Sequence, residues 1–320
     1  MIAEKFRKDG GNKMIRQQAF NQTGNKMLKG GLHCHTTRSD GKGTPEDVIR
    51  LHVQNGYDFL ALTDHRFYNY ENFAPETDIV IVPGMELDGN LPDRGVHCYH
   101  TVCIGPAKDK GNGFNQDQRF DSLKVTSQEE YQPLLDMVHE NGNMTIYCHP
   151  EWSNTPSHEF DRLKGNIAME IWNSGCVIEN EEDADAACWD DLLRQGQRIW
   201  GVATDDGHAM SHHCVGWVRV NAERNLESIL TALKGGAFYA STGPEIYDFY
   251  VEDGKAVVKC SPVDRVRFHY GFAPTRIKDG NGELIEGAEF AVPEYYTYIR
   301  ASVIDEEGRK AWTNPIFLKD

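Results

Sequence analysis

Short apolar runs alternate with amphipathic segments between about residue 28 and residue 243. The segment TPEDVIRLHVQNG begins with Thr44, a good N-cap, and Pro45 at the first helical position, and Gly56 ends it. The apolar runs, such as residues 59–62, are short and continuous, which is typical of strands buried on both faces. Strands that alternate with helices in this way predict a parallel sheet. The further predicted helices are residues 127–142, 182–196 and 226–236.

The first apolar run ends in GGLHCHTTRSDG, which carries the first candidate chemistry. His33 and His35 are two residues apart, a spacing that places both imidazoles on one face of a strand and Cys34 on the other. Asp40 follows in the next loop. The HxH spacing alone is equally compatible with two surface histidines on an edge strand, so its interpretation depends on the rest of the chain.

Nearly every later apolar run also ends in a residue of a metal-ligand type. An open sheet offers only a crevice at its switch point, whereas a closed β/α barrel brings all the carboxyl ends of its strands to one mouth. Imidazole and carboxylate donors suit zinc, iron or manganese, and nine donors exceed the roughly four to six positions of one ion. We therefore predict a barrel whose mouth holds two or three divalent ions that share a bridging carboxylate. The candidate ligands are His33, His35, Asp40, His65, Glu86, His100, His149, Asp206 and His208.

The pattern changes from about Pro244 onward. Turn signals such as Asp253-Gly254 and Asn281-Gly282 separate short apolar runs, and no helical periodicity is present. This part is predicted to be a small antiparallel, sandwich-like β domain. The expected organisation is a lead-in over residues 1–27, a barrel over residues 28–243 and the β domain over residues 244–320.

Charge and cysteine content exclude several classes of function. The net charge of −16 argues against a general nucleic-acid binder, although bound cations can still hold a phosphate ester. The eight cysteines include no CxxC pair, and we interpret them as reduced packing residues of a cytoplasmic protein. No apolar run approaches the ~20 residues of a membrane span.

Taken in order, the motifs resemble the PHP (polymerase and histidinol phosphatase) superfamily of metal-dependent hydrolases. The resemblance covers roughly residues 28–240, and its end is similar to the carbaryl-hydrolase-like branch, in which a β-rich domain follows the barrel. The motifs that carry it are HxH at His33 and His35, SDG at 39–41, TDH at 63–65, GME at 84–86, HP at His149, DxH at Asp206 and His208, and the segments WGVATDDGHA, GAFYASTGPEI and AWTNPIF.

The resemblance implies a distorted seven-stranded TIM-like barrel, (β/α)7, with a trinuclear site. By that analogy the first ion has four ligands, and Glu86 bridges it to a second ion held by His100 and His149. The third ion is bound by Asp40, His65 and His208. The implied ligands of the first ion are His33, His35, Glu86 and Asp206.

Several assignments stay open at the level of the sequence. His97 competes with His100, and Asp205 competes with Asp206. His208 is also a candidate general acid, and Asp205 a candidate second catalytic group or, like Asp64, a group that orients imidazoles.

The candidate substrate-binding residues are cationic or lie on the loop after the last ligand. Arg38 and Arg66 each follow a candidate ligand closely, and guanidinium groups bind phosphate well. His213 lies on the loop after His208. Solvated loop residues would look the same in the sequence.

These observations predict a metal-dependent hydrolase, a phosphoesterase that acts on a small phosphate mono- or diester through a metal-bridging hydroxide. The same ligand set serves a carbamate, ester or amide hydrolase, and an arginine-free mouth would favour such a carbonyl substrate. A non-catalytic barrel that acts as a scaffold is a further alternative.

We expect His33→Ala and His65→Ala each to abolish turnover while the fold is retained, because each removes a metal ligand rather than a core side chain. Steady-state assays, with circular dichroism as the control for folding, measure both effects. Wild-type rates in both variants would contradict the ligand assignment.

Overall fold

The computed structural model describes residues 14–21, 27–92, 97–271 and 275–319. Within these ranges the chain forms two compact units. Residues 27–92 and 97–240 belong to one unit, and residues 14–21 belong with those after 240 to the other. The predicted lead-in therefore lies partly outside the described residues.

The described strands are short, and most belong to sheets. They are β1 (Ile15–Arg16), β2 (Leu28–Gly31), β3 (Phe59–Leu60), β4 (Val80–Ile81), β5 (Gly84–Asn90), β6 (Cys98–Ile104), β7 (Leu123–Lys124), β8 (Met144–Tyr147), β9 (Asn166–Asn173), β10 (Trp200–Thr204), β11 (Trp217–Val220), β12 (Phe238–Ser241), β13 (Ile246–Glu252), β14 (Lys255–Val263), β15 (Arg265–His269), β16 (Arg276–Asp279), β17 (Ile285–Ala291), β18 (Tyr298–Ile304), β19 (Lys310–Thr313) and β20 (Ile316–Phe317).

The helices begin where the sequence supplies caps. Thr44 Oγ1 accepts a hydrogen bond from the backbone N–H of Asp47, and Asn225 Oδ1 accepts one from Ser228. All four predicted helices are present, and a short additional helix follows Asn173. The helices are α1 (Pro45–Gln54), α2 (Gln128–Glu140), α3 (Ser174–Asn180), α4 (Asp185–Arg194) and α5 (Leu226–Gly235), with 3-10 turns at Gln18–Phe20, Lys108–Lys110, Ser157–Glu159 and Met210–His212.

The strands of the larger unit form two mixed sheets rather than one closed parallel sheet. One sheet has the order β10-β9-β8-β6-β5-β7, and the other includes the path β12-β11-β2-β3-β4. β5 and β6 pair antiparallel, as do β6 and β8. The reason is that only residues 91–97 separate β5 from β6, whereas a parallel crossover needs about a dozen residues or more. The closed barrel of parallel strands is therefore not detected in the described residues.

Isolated bridges connect residues that follow β2 and β3 with β5 and with the segment after the end of β10. Cys34 pairs with Gly207, and His65 pairs with Glu86, both in parallel orientation. The predicted alternation at the first motif is also present: Cys34 is fully buried against Val48, Ile49 and Leu60. This packing fixes the direction of the strand end and leaves the neighbouring imidazoles on the opposite face.

The smaller unit consists of antiparallel strands in the described residues. One sheet has the order β1-β13-β14-β17, and the path β16-β15-β18-β19 belongs to this unit as well. No α-helix occurs in the described part of this unit. Its core includes Phe249, Val258, Phe268, Ile299 and Val303, all at most 2% exposed.

None of the eight cysteines forms a disulfide. No helix among the described residues is long and apolar enough to cross a membrane.

Candidate metal centre

Backbone pairing beyond the strand ends brings the candidate ligands together. The amide of Asp206 donates to the carbonyl of His33 at 3.0 Å, and the amide of His35 donates to Gly207 at 3.2 Å. On the other side, the amide of Arg66 donates to the carbonyl of Glu86 at 2.6 Å. Ligand types that are far apart in the chain therefore become neighbours through the register of their backbones.

Four buried donor atoms converge at the centre. Asp206 Oδ1 lies 3.2 Å from His33 Nε2 and 3.0 Å from His35 Nε2. Glu86 Oε2 lies 3.5 Å and 3.4 Å from the same two nitrogens, which are 3.1 Å apart. Four ligands at about 2.0–2.1 Å from one ion would be about 3.3 Å apart in a tetrahedron. The separations match that geometry.

Glu86 faces candidate ligands through both of its oxygens. Its Oε1 lies 2.9 Å from His100 Nδ1 and 3.4 Å from His149 Nε2. Its Oε2 lies 2.9 Å from His65 Nδ1 as well as near the first pair of imidazoles. The carboxylate is thus placed where a bridge between two ions would have to be.

A more open group of donors surrounds Asp40. Its Oδ1 lies 3.6 Å from His35 Nδ1 and 3.5 Å from His208 Nε2, and its Oδ2 lies 3.6 Å from His65 Nε2. The Asp40 side chain is 54% exposed, so this group forms the solvent side of the cluster.

The donor atoms are arranged to coordinate divalent cations rather than to form hydrogen bonds with one another. Glu86 Oε2, Asp206 Oδ1 and His65 Nδ1 are buried and have no hydrogen-bond partner, although each lies within about 3 Å of another donor. An unsatisfied buried polar atom costs about 1–3 kcal/mol, and more if it is charged. Lone pairs that point to a common centre are the arrangement that a cation satisfies.

The electrostatics agree with a site for positive charge. Burial alone would lower the pKa of His35, but the carboxylates of Asp206 and Glu86 raise it to about 9. Burial would raise the pKa of Glu86, but the imidazoles of His100, His65 and His33 hold it well below its usual range. The pKa of His33 is raised in the same way, against burial, by Asp206 and Glu86.

Two of the donor residues have a strained backbone. His149 and Asp206 adopt positive φ angles of 26° and 47°. Non-glycine residues in this region cost about 1–3 kcal/mol each, and they concentrate at functional sites.

Glu170 supports the cluster through hydrogen bonds to His33 and His149. The sequence analysis did not identify it. Its Oε1 accepts from His33 Nδ1 at 2.7 Å and from Thr204 Oγ1 at 2.6 Å. Its Oε2 accepts from the amide of His149 at 3.0 Å and from Asn173 Nδ2 at 2.9 Å. A carboxylate that holds the far nitrogen of an imidazole directs the near nitrogen at the metal. The available signal was a charged residue within the apolar run NIAMEIWN, which demands a buried partner.

The structure separates the two pairs that the sequence left open. His97 Nε2 lies 2.6 Å from Glu159 and away from the cluster, whereas His100 faces Glu86. The carboxylate of Asp205 accepts the backbone N–H groups of Cys214, Val215 and Gly216 at 2.6–2.9 Å. Asp205 therefore anchors the loop after Asp206, and the structure does not bring it to the cluster as a catalytic group.

Asp64 has a loop-anchoring position too. Its carboxylate accepts from the amides of Thr36 and Ser39, at 2.8 Å and 3.1 Å, and from both hydroxyls. It orients the loop that carries Asp40 rather than an imidazole.

The three predicted substrate-binding residues are not brought to the cavity. Arg38 pairs with Asp117, and Arg66 pairs with Asp88. His213 is buried, and burial lowers its pKa to about 3. None of the three lines the cavity over the cluster.

A family model described as PHP domain matches residues 31–178. A 5'-3' exoribonuclease from Haemophilus influenzae is 36% identical over 70 residues, which are 21% of this chain and 26% of that protein. The chain thus spans about a quarter of the length of this relative.

A crystal structure of similar fold comes from Bacteroides vulgatus. It is of a two-domain protein that contains a predicted PHP-like metal-dependent phosphoesterase. It aligns with 97% of this chain and 92% of its own, with a TM-score of 0.51 and 15% identity. The match of the family model confirms the resemblance to the PHP superfamily over residues 31–178.

We expect Glu170→Gln to weaken metal binding by about 10–100-fold, the usual cost of removing a group that orients a ligand. Metal titration followed by elemental analysis measures this. Asp185→Asn is the control, because Asp185 is also a buried carboxylate that accepts a backbone N–H, on α4 and outside the cluster. Wild-type affinity in Glu170→Gln would contradict the positioning role.

Metal uptake by the metal-free protein should release protons, because imidazoles with raised pKa values carry protons that an ion must displace. Affinity should therefore fall as the pH falls below the raised pKa values and level off above them. Calorimetric titrations in two buffers of different ionisation enthalpy measure the number of protons. Equal heats in both buffers would contradict this expectation.

Proposed function

We propose that the chain is a metal-dependent phosphoesterase that acts on a small phosphate mono- or diester, because residues 31–178 match the model of the PHP domain. The observation that carries the proposal is the convergence of imidazole and carboxylate atoms, of which Glu86 Oε2, Asp206 Oδ1 and His65 Nδ1 have no hydrogen-bond partner. The segment shared with an exoribonuclease supports attack on phosphorus rather than carbon.

The residues in the cluster would hold two or three divalent ions, zinc, manganese or iron. One group of ligands is His33, His35, Glu86 and Asp206, the second is Glu86, His100 and His149, and the third is Asp40, His65 and His208. Ions in these positions would activate water and neutralise charge on the ester. In the net reaction water adds to phosphorus, the P–O bond to the organic group breaks, and the leaving oxygen takes a proton.

We assign the proton for the leaving group to His208, which lines the cavity, as the alternative to its place among the ligands of the third ion. Its Nδ1 donates to the carbonyl of Asp206 at 3.0 Å, which leaves Nε2 beside Asp40 Oδ1 at 3.5 Å. Burial would lower the pKa of His208, but the interaction with Asp40 raises it above the usual value. An imidazolium at this place can donate its Nε2 proton.

A carbamate, ester or amide hydrolase is the second candidate, and one observation favours it. In the described residues, no lysine or arginine lines the cavity. Comparing turnover of phosphate monoesters, phosphodiesters and aryl carbamates separates the two. A protein that holds no transition metal even after reconstitution would instead support the non-catalytic scaffold.

We also propose residues 28–243 as the hydrolase domain, organised as a distorted barrel, and residues 244–320 as a β domain of the carbaryl-hydrolase-like branch. A cytoplasmic location is proposed with them, as the reduced cysteines suggested.

We expect His100→Gln to lower turnover more than about 100-fold, because even groups that only orient ligands cost about 10–100-fold when they are lost. Chelation of the wild-type protein should abolish turnover, and Mn²⁺ or Zn²⁺ should restore it. His97→Gln is the matched control, because it also removes a buried histidine, three residues earlier in the chain. Equal losses in the two variants would contradict the assignment.

A further inference from the structure

The cavity above the donor cluster is small. Its volume is about 270 Å³, just below the roughly 300–1,000 Å³ that is usual for ligand pockets. Its floor consists of the donor residues, and the remaining wall includes Trp152, Cys176, Glu179 and Asn180. A substrate bound at the cluster must therefore place its organic part against these side chains.

Trp152 supplies an aromatic wall beside the second group of donors. Its ring lies edge-on to that of His149, with centroids 5.0 Å apart, and 5.6 Å from that of His100. The turn that carries it is fixed, because the amide of Ser153 donates to the carbonyl of His149 at 3.0 Å and its hydroxyl lies 3.1 Å from His149 Nδ1. The indole is half-buried, so one part of it remains available to a planar group.

Glu179 places a negative charge at the opening. It lies on α3, which is held at its start by Asn173 Oδ1, an acceptor for the amide of Cys176 at 3.0 Å. The Glu179 side chain is 57% exposed, and its Oε1 lies 3.7 Å from His212 Nε2. A second anionic group on the substrate would meet this carboxylate on a chain whose net charge is already −16.

The nearby arginines do not offset this charge inside the cavity. Arg38 and Arg66 are both paired with carboxylates, and Arg38 also donates to Asn69 Oδ1 at 3.3 Å. Cations bound by the donor cluster would therefore be the positive charge that binds the phosphoryl group, and they would accommodate one such group. The wall accommodates the rest of the molecule without a cationic contact in the described residues.

We propose that Trp152 and Glu179 determine specificity, and that they select small phosphate esters whose organic part is planar and uncharged. The proposal rests on the proposed phosphoesterase activity and narrows its substrate class. It excludes polyanions such as RNA, because the next phosphate along the chain would meet the negative charge of Glu179.

The experiment compares kcat/KM of the metal-loaded full chain for phenyl phosphate, 4-carboxyphenyl phosphate, methyl phosphate and a short RNA. We expect phenyl phosphate to be the best substrate and RNA the poorest. Glu179→Gln should raise the ratio of kcat/KM for the carboxylated ester to that for phenyl phosphate about threefold at low salt. The discrimination in the wild type should weaken with added salt.

Trp152→Ala should lower the preference for phenyl over methyl phosphate about fivefold, and Trp152→Phe should largely restore it. Glu181→Gln is the matched control for charge, since Glu181 follows the end of α3, is exposed and does not line the cavity. Circular dichroism checks that each variant is folded.

The outcomes separate the two proposals. No turnover of any phosphate ester by the wild type would overturn the phosphoesterase and this inference with it. Turnover without preference among the esters, efficient cleavage of RNA, or equal effects of Glu179→Gln and Glu181→Gln would overturn this inference alone.

Discussion

The centre of this protein depends on the burial of two carboxylates, Glu86 and Asp206, among imidazoles. Removing a carboxylate from water is expensive unless positive charge compensates it. The imidazoles lie 2.9–3.7 Å from the two carboxylates, yet two of the four carboxylate oxygens have no hydrogen-bond partner. Protons on the imidazoles supply part of the compensation, and divalent cations would supply it completely. The other groups of the site keep the imidazoles in place around these two carboxylates.

The supporting groups act through short hydrogen bonds to backbone and side chains. Glu170 orients His33, Asp64 anchors the loop that carries Asp40, and Asp205 anchors the loop after Asp206. These three carboxylates are of a metal-ligand residue type, but they serve as anchors. The difference between ligand and anchor lies in the partners: both oxygens of each anchor accept hydrogen bonds, whereas one oxygen of Glu86 and one of Asp206 accept none.

The residues of the cluster could be listed from the sequence because each follows or belongs to an apolar run. A polar residue in that position is expected at the end of a buried strand. Local spacing also predicted the opposite faces of His33 and Cys34, and the helices with clear caps. Spacing could not decide between His97 and His100, because the answer depends on Glu159, which lies far along the chain. It also could not find Glu170, whose partners come from distant residues.

The direction of strand pairing was predicted less well. The apolar runs predict parallel strands, but only residues 91–97 separate β5 from β6, and this short connection forces the two strands antiparallel. The wall of the cavity was not predicted either. The sequence carries no signal that joins Trp152 and Glu179, which the turn after His149 and α3 bring to one cavity.

The isolated bridges Cys34–Gly207 and His65–Glu86 have a mechanical consequence. Both bridges lie at or beside donor residues, so the line along which the sheets could separate runs through the cluster. An ion bound by donors from both sheets would hold the sheets together along this line. Loss of the ions would therefore allow local opening here before the rest of the fold opens. The backbone amides of His35 and Arg66 would then exchange with solvent sooner than those of the buried strands.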